Sequence, residues 1–216
     1  MERIVAFDLE TIADKAMLEF LPEVKPKGNL KDPKKIEEDI KNKKISQVLD
    51  MGMDPALNMI CCAAWSDNQG NTKSLLLKDE SAKAEKDLIM GFWEVMEQYD
   101  HFVTYNGRDF DMRCLLLHGM SHGIRPSVNI DKGRYNCGNH TDLRGVLAGE
   151  GAFAKGKLDF FAQKFLGRGK TEGIDGSQVQ TYWDLELYDE IAKYNEDDAV
   201  LTMDLFQMAK TAGLLE

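Results

Sequence analysis

The order of the strands and helices that the sequence predicts constrains the fold more than any other feature. Apolar segments predict three strands before the first amphipathic helix, at Ile4–Asp8, Met59–Trp65 and Thr72–Leu77. That helix spans Ser81–Tyr99, with a capping serine and apolar residues at the 3–4 spacing of a buried face, and a fourth strand follows at His101–Tyr105. Strands in hairpin-like succession, then strands alternating with helices, predict an α/β fold with a mixed sheet flanked by helices.

A polar, lysine-rich stretch at about residues 22–49 interrupts this pattern. It holds Pro22, Pro26 and Pro33, and eight lysines lie between residues 25 and 44 with acidic residues among them. The sequence favours a solvated loop with one charged helix over residues 33–48. A surface that meets a polyanion is the second interpretation. The chain is therefore predicted to be a single domain, residues 1–216, with this stretch as an insertion.

The composition excludes several classes of protein. Hydrophobic residues make up 43% of the chain and charged residues 30%, which excludes a disordered chain. No run of about 18 uncharged apolar residues is present, so the sequence predicts no contact with a membrane. The four cysteines form no Cys-x-x-Cys pair, which favours a reduced, cytoplasmic protein. The net charge of −10 argues against a protein that coats nucleic acid by bulk charge, but not against an enzyme whose acidic residues are neutralised by metal ions.

Acidic residues recur where a strand or a helix could bring them together. Asp8 and Glu10 lie two residues apart at the predicted end of the first strand, so both side chains point to the same face. Asp111 follows the fourth strand, and Asp197 and Asp198 lie on the last predicted helix. Each acid alone is explained by a helix cap or a solvated turn. Carboxylates that converge stay ionised only around a cation, and hard oxygen ligands select Mg²⁺ or Mn²⁺.

Three segments in this order resemble the motifs of a known family. Phe7–Thr11 (FDLET) is similar to the first motif of the DEDD 3′–5′ exonucleases, Asn106–Asp111 (NGRDFD) to the second and Tyr194–Asp198 (YNEDD) to the third. Lys193 stands where the histidine branch of that family has its histidine. The chain therefore resembles a stand-alone, DnaQ-like exonuclease of the tyrosine branch (DEDDy), related to the proofreading domain of family B DNA polymerases. The connecting segments His140–Leu143, Lys157–Gly167 and Ile174–Val179 are also similar to those of this group.

The resemblance implies a fold and a set of metal ligands. The fold would be ribonuclease H-like, a five-stranded mixed sheet with its first three strands antiparallel. Asp8 would contact both of two divalent cations, Glu10 and Asp198 would complete the shell of the first, and Asp111 would hold the second. Tyr194 would orient the attacking water. It precedes Asp198 by four residues, so both face the same way on a helix.

Four residues would contact the 3′-terminal nucleotide if the resemblance extends to the substrate. Leu9 and Thr11 would line the pocket, Asn106 would form a hydrogen bond and Phe110 would pack on the nucleotide. Phe110 is at least as well explained as a core aromatic residue. Asp109 is predicted to begin or cap a helix that runs to His118 and closes at Gly119.

Two further expectations concern side chains outside the ligand set. Asp197 lies about 100° from Asp198 on a helix and is assigned to the surface or behind the ligands. His118 and His122 are four residues apart, but glycines interrupt this helix, which predicts two surface histidines rather than a zinc site. The last helix is predicted over residues 184–212 with a break near residues 193–195.

The function predicted from the sequence is that of a metal-dependent 3′–5′ exonuclease. It would release nucleoside 5′-monophosphates from the 3′ ends of single-stranded nucleic acid, DNA being favoured, with two divalent cations, Mg²⁺ or Mn²⁺. One alternative is a catalytically weak nuclease-fold module that binds nucleic-acid ends or a partner. Another is a 3′–5′ exoribonuclease, because no motif reports a contact with a 2′-hydroxyl group. A proofreading subunit beside a polymerase, or a repair partner, also stays open.

Overall fold

A five-stranded sheet forms the centre of the protein in a computed structural model that describes residues 2–133, 138–149, 156–170 and 174–215. The strands of this sheet are β1 (Ile4–Ala13), β2 (Asn58–Asp67), β3 (Thr72–Leu76), β4 (His101–Thr104) and β5 (His140–Asp142). Around it lie α1 (Pro33–Gly52), α2 (Ala82–Met96), α3 (Asp111–His122), α4 (Leu143–Ala148), α5 (Leu158–Leu166), α6 (Val179–Asp184) and α7 (Tyr188–Thr211). Short 3₁₀ helices span Lys15–Phe20 and Gly176–Gln178.

The sheet combines antiparallel and parallel pairing in the order β3-β2-β1-β4-β5. β1 pairs antiparallel with β2, and β2 with β3, whereas β1 and β4, and β4 and β5, pair in parallel. The predicted α/β fold, with a five-stranded mixed sheet whose first three strands are antiparallel, is therefore confirmed. β1 is the central strand, and it has neighbours on both sides.

The two faces of β1 enter two hydrophobic clusters because successive side chains of a strand point in opposite directions. Phe7 lies in the first cluster, where its ring packs edge to face on Phe92 of α2 with the centroids 5.2 Å apart. Burial of such a side chain contributes roughly 1.5–3 kcal/mol. Ala6 lies in the second cluster, which side chains of α5 and α7 complete. By the same alternation Asp8 and Glu10 belong to the Ala6 face, so they point to the side of the sheet that α7 covers.

β1 is longer than the sequence predicts, and this changes the position of its acids. The strand continues to Ala13, so Asp8 and Glu10 lie within it rather than at its end. The register with β2 shifts between Glu10 and Thr11, where one strand has an extra residue. Such a bulge bends a strand and re-aims its side chains. The Thr11 hydroxyl then donates to the carbonyl of Gly52, 2.6 Å away, at the end of α1.

α3 begins and ends later than predicted. Its first residue is Asp111, and Asp109 lies in the turn before it without capping the helix, because the N-cap position belongs to Phe110. The helix passes through Gly119 and ends at Gly123, which has φ 67°. A left-handed residue of this kind ends a helix, and glycine adopts it without strain.

The last helical segment is divided at a different place from the one predicted. α6 ends at Asp184 and α7 begins at Tyr188, with Glu186 between them at φ 58°. α7 is continuous through residues 193–195, so the predicted break there is wrong. The charged helix of the insertion, α1, also continues beyond its predicted end to Gly52.

The prediction of two surface histidines is wrong, because α3 packs them against α2 and β2. His118 is only 8% exposed, and its Nδ1 lies 2.5 Å from Oε1 of Glu85 on α2. His122 places Nε2 2.7 Å from the other oxygen of that carboxylate. The Ile60 N–H of β2 donates to Glu85 Oε1 at 2.8 Å. One buried carboxylate thus joins two helices and a strand.

The sequence also predicts loops at residues 126–139 and 167–178, and both lie partly outside the described residues. Residues 134–137, with Cys137, belong to the first, and residues 171–173 to the second. Within the part of the chain that the structure describes, no helix is both long and apolar enough to cross a membrane.

Candidate active site

Three carboxylates from two elements converge on the α7 side of the sheet. β1 supplies Asp8 and Glu10, and α7 supplies Asp198. One oxygen atom of each lies within 4.8 Å of one oxygen atom of the others. Glu10 is 8% exposed and Asp198 4%, so the cluster is largely withdrawn from water. The structure therefore brings together three of the four predicted metal ligands.

Asp111 lies against the same strand but outside this group of three. The pairing of β1 with β4 ends at Ala6, so the N–H of Leu9 has no partner in β4. That N–H donates to Oδ1 of Asp111 at 2.9 Å, which holds the first residue of α3 against β1. Burial raises the pKa of Asp111 to about 7, although this hydrogen bond favours the ionised form. Two residues that the sequence places far apart are thus fixed side by side.

Burial and mutual repulsion disfavour the ionised forms of these acids. Burial, and then the charges of the neighbouring carboxylates, raise the pKa of Asp8 and of Glu10 well above their ordinary values. Burial raises the pKa of Asp198 to about 6, against the effect of Lys170. Acids this close remain ionised together at neutral pH only when positive charge lies among them. The cluster therefore has the electrostatics of a cation site.

Lys170 supplies one positive charge to the cluster, and no sequence motif identifies it as a site residue. Its ammonium forms an ion pair with Asp198 and donates to the Tyr194 hydroxyl, 2.9 Å away. Burial alone would lower the pKa of Lys170, but Asp198 and Tyr194 raise it above its ordinary value. The Lys170 N–H donates to Oδ1 of Asp159 on α5 at 2.9 Å. A single lysine three residues after the glycine that ends α5 matches no motif, so only the folded chain identifies it.

Asn195 is a second site residue that the sequence did not reveal. Its side chain is fully buried, and its Nδ2 donates to Oδ2 of Asp8 at 2.6 Å. This bond orients the Asp8 carboxylate within the cluster. Among the described residues, Oδ1 of Asn195 and Oδ1 of Asp198 are buried without a hydrogen-bond partner. Buried oxygen atoms of this kind need a partner, and a bound cation would satisfy them.

Tyr194 faces the cluster as its spacing from Asp198 predicts. The side chain is 3% exposed, and its hydroxyl and Asp198 share the Lys170 ammonium. Burial raises the pKa of Tyr194 above its ordinary value, and the Asp198 charge raises it further. The phenol is therefore neutral at physiological pH and can donate a hydrogen bond.

The turn between β4 and α3 positions Asn106 at the edge of the site. Asn106 has φ 67°, and its N–H donates to Oδ1 of Asp142 at 2.8 Å. The Arg144 guanidinium donates to the Asn106 side-chain oxygen at 3.3 Å. A Cβ atom on Gly107 would lie 2.5 Å from Cβ of Thr104, so the turn requires glycine there. The contact of Asn106 with a nucleotide remains a prediction.

The other predicted substrate contacts lie in packed positions. Leu9 is 4% exposed and belongs to the first hydrophobic cluster. Phe110 is half-buried and packs against the same cluster, which agrees with its interpretation as a core aromatic residue. The Thr11 hydroxyl is engaged by α1, as described above. Any contact of these three residues with a nucleotide stays a prediction.

Comparisons with known proteins identify a family model and several relatives of this chain. A family model described as "Predicted 3'-5' exonuclease related to the exonuclease domain of PolB" matches residues 55–215. DNA polymerase 1 of Sulfurisphaera ohwakuensis is 29% identical over an alignment of 192 residues that covers 83% of this chain and 21% of that protein. DNA polymerase 1 of Sulfolobus acidocaldarius is 26% identical with the same coverage. The chain thus spans about a fifth of the length of these relatives.

A solved structure shares the fold. The family B DNA polymerase of Pyrobaculum calidifontis superposes with a TM-score of 0.69 and 17% identity, over 99% of this chain and 25% of that one. This likeness agrees with the predicted ribonuclease H-like sheet. The 55–215 match contains Asp111, Tyr194 and Asp198, whereas Asp8 and Glu10 precede it. Because that match covers most of the chain, the protein belongs to the family of predicted 3′–5′ exonucleases related to the exonuclease domain of PolB.

Proposed function

We propose that this chain is a metal-dependent 3′–5′ exonuclease that hydrolyses phosphodiester bonds at the 3′ end of single-stranded nucleic acid, with DNA favoured over RNA. The observation that supports it most is the buried group of Asp8, Glu10 and Asp198, with Asp111 of α3 held against β1 beside them. Four neighbouring carboxylates repel each other when they are ionised, which destabilises the fold unless a cation lies among them. Membership of an exonuclease family agrees with this interpretation.

The donor set fits divalent cations of the hard class. All the converging groups are carboxylates, and one oxygen of Asp198 has no other partner among the described residues. Such oxygen ligands suit Mg²⁺ and Mn²⁺ better than zinc or copper. Asp8, Glu10 and Asp198 would hold one ion, and Asp8 with Asp111 the second. When bound, the two ions supply an activated water and stabilise the leaving oxygen.

The side chains around the acids would position the substrate and the water. The neutral Tyr194 hydroxyl can donate a hydrogen bond to a water beside Asp198. The Lys170 ammonium, next to that hydroxyl, can interact with a phosphate oxygen. Asn195 keeps Asp8 in one orientation through its hydrogen bond. Fixed groups of this kind lower a barrier because their reorganisation is complete before the reaction.

The relatives suggest the class of substrate, and the net charge of the chain suggests how strongly it is bound. The relatives named above are DNA polymerases, which favours DNA as the substrate and a polymerase or repair partner. The products would be nucleoside 5′-monophosphates. A net charge of −10 predicts weak, salt-sensitive capture of nucleic acid rather than tight binding.

Digestion of 5′-labelled oligonucleotides tests this proposal. Single-stranded DNA, duplex DNA and RNA would each be incubated with Mg²⁺, Mn²⁺ or EDTA, and the ladder and released nucleotides analysed. We expect stepwise shortening of single strands from the 3′ end, no reaction in EDTA and none with Asp198→Asn. Asp189→Asn, an exposed acid on the same helix, is the matched control and should cleave normally. A wild-type protein that binds single strands and shortens none of them would favour the binding-module alternative instead.

A further inference from the structure

Two large aromatic side chains of α5 are exposed to solvent. Phe160 is 54% exposed and Phe165 42%, although the helix is only nine residues long. Phe161 lies between them: its ring meets Phe160 edge to face with centroids 5.1 Å apart and stacks on Phe165 at 6.0 Å with an interplanar angle of 9°. Phe161 itself is buried in the second hydrophobic cluster, so the outer face of α5 exposes two rings that rest on a third. Exposed aromatic side chains grouped in this way on a folded domain indicate a binding surface.

Positive charge accompanies these rings. The Lys164 ammonium lies 6.0 Å from the Phe160 centroid and 5.1 Å from the Phe165 centroid. Residues 156–170 contain four cationic residues and one acidic residue, in a chain whose net charge is −10. Two of the four are paired, Arg168 with Asp204 and Lys170 with Asp198, whereas Lys164 faces the rings and the solvent. A cationic, aromatic face on an acidic protein is complementary to a polyanion that exposes flat rings.

The same helix is joined to the candidate active site. Asp159, in its first turn, accepts the N–H of Lys170, whose ammonium pairs with Asp198. At the other side of the helix start, the Tyr105 hydroxyl at the end of β4 donates to the Gly156 carbonyl at 2.9 Å. The start of α5 is therefore tied to Asp198 through Lys170, and α5 borders the candidate active site.

We propose that the outer face of α5 binds the single-stranded nucleic acid that precedes the 3′-terminal nucleotides, with bases stacked on Phe160 and Phe165 and a backbone phosphate beside Lys164. The polarity of this arrangement rests on the proposed exonuclease function. Stacking on aromatic side chains tolerates every base because each base has a π face, and lysine contributes without sequence preference. Such a surface would bind single strands of any sequence.

Equilibrium binding measures the contribution of the rings without requiring cleavage. Fluorescence anisotropy of a labelled dT₁₂ and a labelled dT₃, with Ca²⁺ in place of Mg²⁺, would give the Kd of each. We expect Phe160→Ala to weaken dT₁₂ binding about tenfold and the double variant Phe160→Ala/Phe165→Ala further, with dT₃ unchanged. Met120→Ala, a 75% exposed apolar residue of α3, is the matched control and should change neither. Circular dichroism would verify that each variant is folded.

The dependence of Kd on salt concentration measures the contribution of Lys164 to binding separately from that of the aromatic rings. Each phosphate contact to a single strand contributes about 0.7 to the slope of log Kd against log salt concentration. Lys164→Gln should therefore reduce the slope for dT₁₂ by about that amount, while Phe160→Ala leaves it unchanged. Lys86→Gln, an exposed lysine of α2, serves as the control. Equal slopes for wild type and Lys164→Gln would remove the phosphate contact from the proposal.

The outcomes separate this inference from the proposed function. Binding of dT₁₂ that Phe160→Ala weakens supports the α5 surface even if the wild type cleaves nothing. An unchanged dT₁₂ affinity in the double variant overturns it even if the wild type digests DNA normally. Loss of self-association in that variant, seen by sedimentation with dT₁₂ affinity intact, also overturns it and assigns the face to a contact between two copies.

Discussion

At the scale of single residues, a variant of Tyr194 tests catalysis independently of metal binding. Tyr194→Phe removes one hydroxyl and leaves Asp8, Glu10 and Asp198 in place. We expect kcat to fall by about 10²–10⁴, the range of positioned proton-transfer and orienting groups. Calorimetric Mn²⁺ affinity should stay near that of the wild type, because none of the converging carboxylates changes. Wild-type rates from Tyr194→Phe, next to an inactive Asp198→Asn, would mean that the hydroxyl has no part in the reaction.

Asp109 and Asp111 can be compared in the same way, because only one of them is proposed as a metal ligand. Asp111 is buried against Leu9, whereas Asp109 is exposed in the turn before α3. We expect Asp111→Asn to abolish cleavage with the fold retained, because the new amide oxygen can still accept the Leu9 N–H. Asp109→Asn should keep most of the activity. Rates on labelled single strands decide between them, and the reverse result would place the second motif two residues away from the proposed position.

The spacing of the motifs predicted Asp8 beside Glu10 and Tyr194 beside Asp198, and the family resemblance implied that the two pairs meet, but neither identified every member of the site. Strand alternation fixes the first pair, and one helical turn fixes the second. Lys170 reaches the cluster only because its N–H is held by Asp159, an interaction that no periodicity encodes. A contact that depends on how a loop leaves a helix appears only when the whole chain is folded.

At the scale of elements, the sequence predicted which strands and helices exist better than where they end. β1 was predicted too short because Asp8 and Glu10 interrupt its apolar run, although both are enclosed by the sheet and α7. The sequence predicts that α3 closes at Gly119, whereas the residue with the left-handed backbone that stops the helix is Gly123. Glycine alone does not mark a helix end, because the sequence does not report the sign of φ.

The β4–α3 turn provides a test at this scale. A Cβ atom on Gly107 would lie within 3 Å of three atoms of the Thr104 side chain, the nearest at 2.5 Å. We expect Gly107→Ala to destabilise the fold by about 1–3 kcal/mol in urea denaturation, since the turn must shift to relieve this overlap. Activity should fall as well, because this turn determines where α3 and Asp111 begin. Gly28→Ala, where a Cβ atom would meet nothing within 4 Å, is the control and should change neither quantity. A stable, active Gly107→Ala protein would show that the turn does not position Asp111.

At the scale of the whole molecule, the Glu85 carboxylate links the antiparallel half of the sheet to two helices. Burial would raise the pKa of Glu85, but its hydrogen bonds with His118, His122 and the Ile60 N–H lower it below the ordinary value. A lowered pKa in the folded state means that ionised Glu85 stabilises the fold above its unfolded pKa of about 4.3. This contribution is lost as the pH falls through the folded pKa.

The pH dependence of stability therefore measures what this network contributes. We expect Glu85→Gln to lower the free energy of unfolding at pH 7 by about 1–3 kcal/mol, because the amide cannot accept from all three donors. The difference from wild type should shrink as the pH falls below the unfolded pKa of about 4.3 and through the lowered pKa of folded Glu85, where the wild-type carboxylate becomes protonated. Urea denaturation at a series of pH values gives both curves, with Glu94→Gln, an exposed acid of the same helix, as the control. If the wild-type and Glu85→Gln curves stay parallel down to pH 3, the network is held by packing and not by the charge of Glu85.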